Sequence, residues 1–146
     1  MRPHTDGATG AAPELPAEVA AHVKAGGALA GALARLTELG GRPSEFKGMI
    51  SVTVPKGALV AGLEAAKAAG LVMLTDVATV DYLTYPGHRG KRFVVIYNIH
   101  DLTGRVRLCV RVELDDGETC PTATGVWKGA DFLEREAYDM MGVVFE

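Results

Sequence analysis

The chain has 146 residues, 48% of them hydrophobic and 23% charged, with a formal net charge of −3. A chain of this size buries about two-thirds of its unfolded surface, enough for one domain with its own core. The charge balance lacks the basic excess of a nucleic-acid binder, and the two cysteines, Cys109 and Cys120, are too few for a disulfide scaffold and suit a reducing compartment.

Residues 1–14 mix Gly, Pro and Thr without periodicity, which predicts a disordered N-terminal segment ahead of a single domain over 15–146. The N-terminus lacks the apolar stretch of a secretory signal, and no apolar run nears the roughly eighteen residues of a membrane span. Any membrane contact is then expected to run through other proteins. Over 16–39 the spacing of Val19, Val23, Leu29, Leu33 and Leu36 predicts a helix ended by Gly40-Gly41. Gly26-Gly27 weakens its middle by about 1 kcal/mol per glycine, so a break into two helices is an option there.

Alternation of Ile50, Val52 and Val54 predicts a strand over 49–54, stopped by Pro55. A helix follows over 56–69 with Leu59, Leu63 and Ala66 on one side and Gly70 at its end. Residues 71–76 read as a strand leading into Asp76-Val77-Ala78-Thr79-Val80-Asp81-Tyr82, and Gly87-His88-Arg89-Gly90 as a turn. The two clearest strands, 92–99 and 105–114, form an antiparallel hairpin through Asp101-Leu102-Thr103-Gly104. Val106, Leu108, Val110 and Val112 alternate with Arg105, Arg107, Cys109 and Arg111, which predicts one buried face and one carrying arginines. Beyond the acidic turn Asp115-Asp116-Gly117-Glu118 and Trp127 comes a last helix over 131–142. The order predicts a two-layer α+β fold, helices packed on one mostly antiparallel mixed sheet.

That last helix is the best-punctuated stretch of the chain. Asp131 suits an N-cap with Glu134 completing a capping box, and Gly142 suits a left-handed C-terminal residue. Leu133, Ala137, Met140 and Met141 make one apolar stripe; Asp131, Arg135 and Asp139 lie opposite, placing one arginine between two carboxylates.

No familiar catalytic centre emerges. An iron–sulfur cluster needs about four thiolates, and His4, His22, His88 and His100 lack metal-ligand spacing. Ser44 and Ser51 stand outside any nucleophile elbow. Gly87 to Arg92 looks superficially like a phosphate loop, but Tyr85 stands where a glycine is needed, Arg92 where Ser or Thr is needed, and a strand follows instead of a helix. Among the carboxylates, Glu134 and Glu136 point about 200° apart on a helix. Glu136 and Asp139 could converge, and an enzyme built on them would need a concave pocket beside them.

The string Leu133-Glu134-Arg135-Glu136-Ala137-Tyr138-Asp139-Met140-Met141-Gly142-Val143-Val144-Phe145 resembles the signature of the C subunit of NADH-quinone oxidoreductase, the complex I 30 kDa subunit family. The Asp76 to Tyr82 segment, the strand Phe93-Val94-Val95-Ile96-Tyr97 and Trp127 resemble further blocks of that family, so the likeness spans about residues 46–146. The resemblance implies a non-catalytic peripheral-arm subunit of a proton-translocating complex, on the cytoplasmic side of the cell membrane. It implies no cofactor in this chain, with NAD, FMN, iron–sulfur clusters and quinone handled elsewhere in the complex. It also implies docking to the D subunit and neighbouring iron–sulfur subunits through Glu134, Arg135, Glu136, Tyr138, Asp139 and Gly142. The family continues past Phe-Glu into a Gly-His-Pro-x-Leu-Arg tail that this sequence lacks. Two alternatives stand beside this: the equivalent subunit of a membrane-bound hydrogenase or formate hydrogenlyase, and a small stand-alone enzyme using the carboxylates of the last helix.

Overall fold

The computed structural model describes residues 16–17, 19–21 and 26–146. The expected disordered segment 1–14 and positions His22 and Val23 lie outside them.

Helical structure breaks at the two glycines. Gly26 and Gly27 take positive φ values of 75° and 89°, so the expected helix divides into a helical stretch carrying the buried Val19 and a helix α1 over Ala28–Glu38. A hairpin follows, β1 (Arg42–Phe46) and β2 (Met49–Thr53). Lys47 and Gly48 at its tip both have φ > 0, as a tight two-residue turn requires. β1 is absent from the sequence-based order. Its Arg42-Pro43-Ser44-Glu45 start has no apolar alternation, and Pro43 is accommodated because the strand lies at the sheet edge.

A single 3-10 turn over Lys56–Ala58 opens α2 (Leu59–Ala69), closed by Gly70 at φ 123°. Three long strands complete the sheet: β3 (Met73–Asp81), β4 (Phe93–His100) and β5 (Arg107–Leu114). β3 runs five residues beyond its expected end at Asp76, because antiparallel pairing with β4 carries the ladder to Asp81 opposite Phe93. The last helix, α3, spans Ala130–Met141. Sheet order is β1-β2-β5-β4-β3, with β2 parallel to β5 and every other neighbour antiparallel. This is the α+β two-layer arrangement expected.

The core lies between the helices and one face of the sheet. Leu33 and Leu36 of α1 and Leu59 and Leu63 of α2 pack with Val52, Tyr97, Val110 and Val112 in one buried cluster. Each such side chain contributes roughly 1.5–3 kcal/mol through burial. The chain leaves α1 for β1 through Gly41, where a Cβ would sit 2.6 Å from both the Leu36 carbonyl oxygen and a Val52 methyl carbon. Backbone cannot yield there as a side chain can. Gly41→Ala is expected to destabilise the fold by about 1–3 kcal/mol, measured as a lower urea midpoint at unchanged slope.

A charge network closes the β3–β4 end of the sheet. Arg92 donates through Nε and Nη2 to both carboxylate oxygens of Asp81, at 3.0 and 2.9 Å, and through Nη1 to Asp116 at 2.9 Å. These hydrogen bonds hold the Asp81 carboxyl below its ordinary range. Glu118 accepts the Asp115 N–H at 2.7 Å and Lys91 Nζ at 3.1 Å, with Lys56 Nζ at 3.5 Å. The Asp115 N–H, then Lys91, lower its pKa from 4.5 to about 2. A carboxyl depressed in the folded state stabilises above its unfolded pKa and loses that contribution as pH falls through the folded value. Stability is therefore expected to fall between pH 4.5 and about 2, and Glu118→Gln to flatten that part of an acid-unfolding curve.

Candidate functional site

The expected site residues lie on or beside α3, and the structure separates them into buried and exposed sets. The helix begins after Gly129, one residue before the expected N-cap, and has no side-chain cap. Glu134 therefore completes no capping box. Its carboxylate crosses to the preceding loop, where Oε1 accepts Thr122 Oγ1 at 2.6 Å and Oε2 accepts the Ala123 N–H at 2.8 Å. With 5% exposure it is the one buried charged side chain among the described residues. Both oxygens are satisfied, as a buried carboxylate demands.

The loop that Glu134 holds is fixed on its other side as well. Cys120 and Thr122 donate their N–H groups to the carbonyls of Val144 and Glu146, at 2.8 and 2.6 Å, so the chain after α3 folds back alongside the loop. Gly142, in the left-handed conformation at φ 75°, makes that reversal, as the sequence predicts. Trp127 Nε1 donates to the Val72 carbonyl at 2.9 Å, and Lys67 to the Val126 carbonyl at 2.7 Å. Loop, helix and C-terminal segment thus form one braced unit beside β3.

Its surface is unusual for a solvated helix. Ala130, Glu134 and Ala137 face inward with Leu133 half-buried, so the expected apolar stripe is displaced and Met140 points out. Phe132, Tyr138 and Met140 are 71, 55 and 73% exposed. Between α3 and the C-terminal segment runs an open groove of about 410 Å³ lined by Asp131, Arg135, Tyr138 and Asp139 on one side and Val144 and Phe145 on the other. Arg135 pairs with Asp131 at 3.2 Å; among the described residues Asp139 does not join that pair. Glu136 lies outside the groove, so the two carboxylates weighed as an acid/base set do not line it together. Phe132 was missed by sequence reasoning, and its only signal was a large apolar side chain off the expected stripe.

The cysteines take separate environments. Cys120 is buried against the Tyr97 hydroxyl at 3.4 Å, and burial raises its pKa to about 11. Cys109 donates to Asn98 Oδ1 at 3.0 Å. Tyr97 and Asn98 are consecutive on β4, so the two thiols lie on opposite sides of the sheet. Among the described residues no three His, Cys, Asp or Glu side chains form a group able to hold a metal ion, and no helix is long and apolar enough to cross a membrane.

Fold and site together define an open-sheet α+β domain whose polar groove is carried on a braced helix. The chain belongs to the family described as respiratory-chain NADH dehydrogenase, 30 Kd subunit, whose model matches residues 52–146. It is 41% identical over 104 residues to the C subunit of NADH-quinone oxidoreductase from Geotalea uraniireducens, covering 70% of this chain and 61% of that one. It is 44% identical over 73 residues to the C/D subunit of NADH-quinone oxidoreductase from Bdellovibrio bacteriovorus, covering 50% of this chain and 12% of that one. A solved trypsin-resistant fragment of Nqo5 is similar with a TM-score of 0.75 and 35% identity, over 82% of this chain and 96% of that one. The chain spans about three-fifths of the length of its relative from Geotalea.

Proposed function

We propose that the chain is a cofactor-free subunit of the peripheral arm of the proton-translocating NADH:quinone oxidoreductase, on the cytoplasmic side of the cell membrane. In this reading it docks to the D subunit and neighbouring iron–sulfur subunits. NAD, FMN, iron–sulfur clusters and quinone belong to other subunits of the complex, which carry electrons from NADH to quinone. Membrane contact comes through the complex alone.

The observation that carries the docking role is the surface of α3. Phe132, Tyr138 and Met140 expose large apolar side chains on the same helix that bears the family motif. Large apolar side chains interleaved with charge in this way are a usual composition of a protein interface. Covering them contributes roughly 25 cal/mol per Å² of apolar area, while Arg135 and Asp139 fix orientation and exclude wrong partners. Glu134 acts behind this surface by bracing the loop and terminal segment. The Bdellovibrio relative, whose name joins C and D, supports the D subunit as the neighbour.

The test is charge reversal on the groove. Arg135 is 75% exposed and its pair with Asp131 is a surface pair, worth about 0–1 kcal/mol. Arg135→Glu should therefore leave the thermal midpoint of the chain nearly unchanged and reduce its incorporation into the complex. Full incorporation of Arg135→Glu would count against docking through this groove.

A further inference from the structure

We propose that the groove between α3 and the C-terminal segment seats one arginine of the partner subunit, held between Asp139 and Tyr138. The inference rests on the reading of α3 as the docking surface, and it adds the chemistry that the partner must bring there.

The groove offers what such a side chain needs. Asp139 and Tyr138 line one wall, Val144 and Phe145 the other, around about 410 Å³ of open space. Arg135, on the same wall as Asp139, is held by Asp131 at 3.2 Å, and among the described residues no cation pairs with Asp139. Tyr138 and Val144 are 55 and 44% exposed, so both walls are open to an incoming group. A planar guanidinium can give two of its N–H groups to the Asp139 carboxylate and lie against the Tyr138 ring. Its apolar stem then runs along Val144 and Phe145. A lysine would supply the charge without the fork or the planar contact.

Charge selects the same occupant. α3 carries Asp131, Glu134, Glu136 and Asp139 against Arg135 alone. A surface of this sign repels nucleic acid and anionic lipid headgroups and draws a cation. A small free amine would leave Phe132 and Met140 bare, at 71 and 73% exposure along the same helix. A protein segment with apolar neighbours around its arginine covers them as well. Arg135 sets the register: fixed by Asp131 one turn before Asp139, its positive charge disfavours an arginine seated one turn too early. Once the groove closes over it, the pair at Asp139 is partly removed from water, where opposite charges attract more strongly than on an open surface.

The test uses the full chain in its own host, tagged, with p-benzoylphenylalanine in place of Met140. Irradiation of the purified assembly should join the chain to one segment of a co-purifying subunit, and that segment should contain an arginine. Asp139→Lys should lower recovery of that subunit by about tenfold or more and Asp139→Asn by about threefold, with Asp139→Glu retaining more than Asp139→Asn. The thermal midpoint of the free chain should move by less than about 2 °C in each variant, because Asp139 is exposed and unpaired among the described residues. Glutamate in place of the cross-linked arginine should restore recovery with Asp139→Lys, which a purely structural role of Asp139 would not allow. Full recovery with Asp139→Lys, no restoration by the exchanged pair, or a cross-linked segment without arginine would overturn the arginine seat and leave docking through α3 intact. A cross-link within the chain or to another copy of it, or none while the chain still co-purifies, would overturn both and leave membership of the assembly standing. Failure of the wild-type chain to co-purify with any subunit would overturn that membership and this inference with it.

Discussion

Glu134→Ala should lower the thermal midpoint of the chain by about 10 °C. The carboxylate accepts two hydrogen bonds, from Thr122 Oγ1 and the Ala123 N–H, at 5% exposure. Charge-assisted bonds of this kind contribute about 1.5–3 kcal/mol each, and truncation also leaves the Ala123 donor orphaned. A net loss of about 3 kcal/mol converts to roughly 10 °C for a domain of this size. Glu134→Gln should be much milder, about 1 kcal/mol. Thr122 Oγ1 also lies 3.0 Å from Thr124 Oγ1, so its proton can turn there and let it accept from the glutamine amide. Hydrogen exchange adds a local readout. The Cys120 and Thr122 amides, bonded to Val144 and Glu146, should lose protection in Glu134→Ala before the central sheet does. Equal stability of Glu134→Ala and wild type would mean that Glu134 braces nothing.

The second large effect is on association and leaves stability alone. Phe132 and Met140 are 71 and 73% exposed and touch little of the chain's own core. Phe132→Ala combined with Met140→Ala should change stability by less than about 0.5 kcal/mol, as surface substitutions do. If α3 docks as proposed, the same change should weaken binding to the D subunit by about 2 kcal/mol or more, roughly thirtyfold. Titration of that purified partner with wild-type and double-variant chains measures this directly. Equal affinities would place the interface elsewhere.

The two effects divide what could be read in the sequence from what could not. The long elements carried their own signals: β4 through its continuous apolar run, β5 through alternation, α2 through spacing and Gly70, α3 through Gly142 at its end. β1 carried none, because an exposed edge strand needs no apolar period. Glu134 was legible as a motif residue but not as a brace. The capping-box pattern is local, whereas its true partners lie eleven and twelve residues back in a loop. Met140 fell on the expected apolar stripe, yet the inward face of α3 is built from two alanines, Ala130 and Ala137, and the Glu134 carboxylate that crosses to the loop. The arginines of β5 read as a solvent face. Only the strand order shows that Arg111 lies between Ile96 and Thr53, with the apolar centre of β3 and β4 beside it.

Membership of a respiratory complex is the claim on which the rest depends. The full tagged chain should be purified from mildly solubilised membranes of its own host, with co-purifying proteins identified and NADH:quinone activity assayed. Recovery with the D subunit and iron–sulfur subunits is expected, together with activity sensitive to quinone-site inhibitors. Recovery of the chain as a lone monomer, or with a nickel-containing large subunit and hydrogen uptake, would contradict that membership.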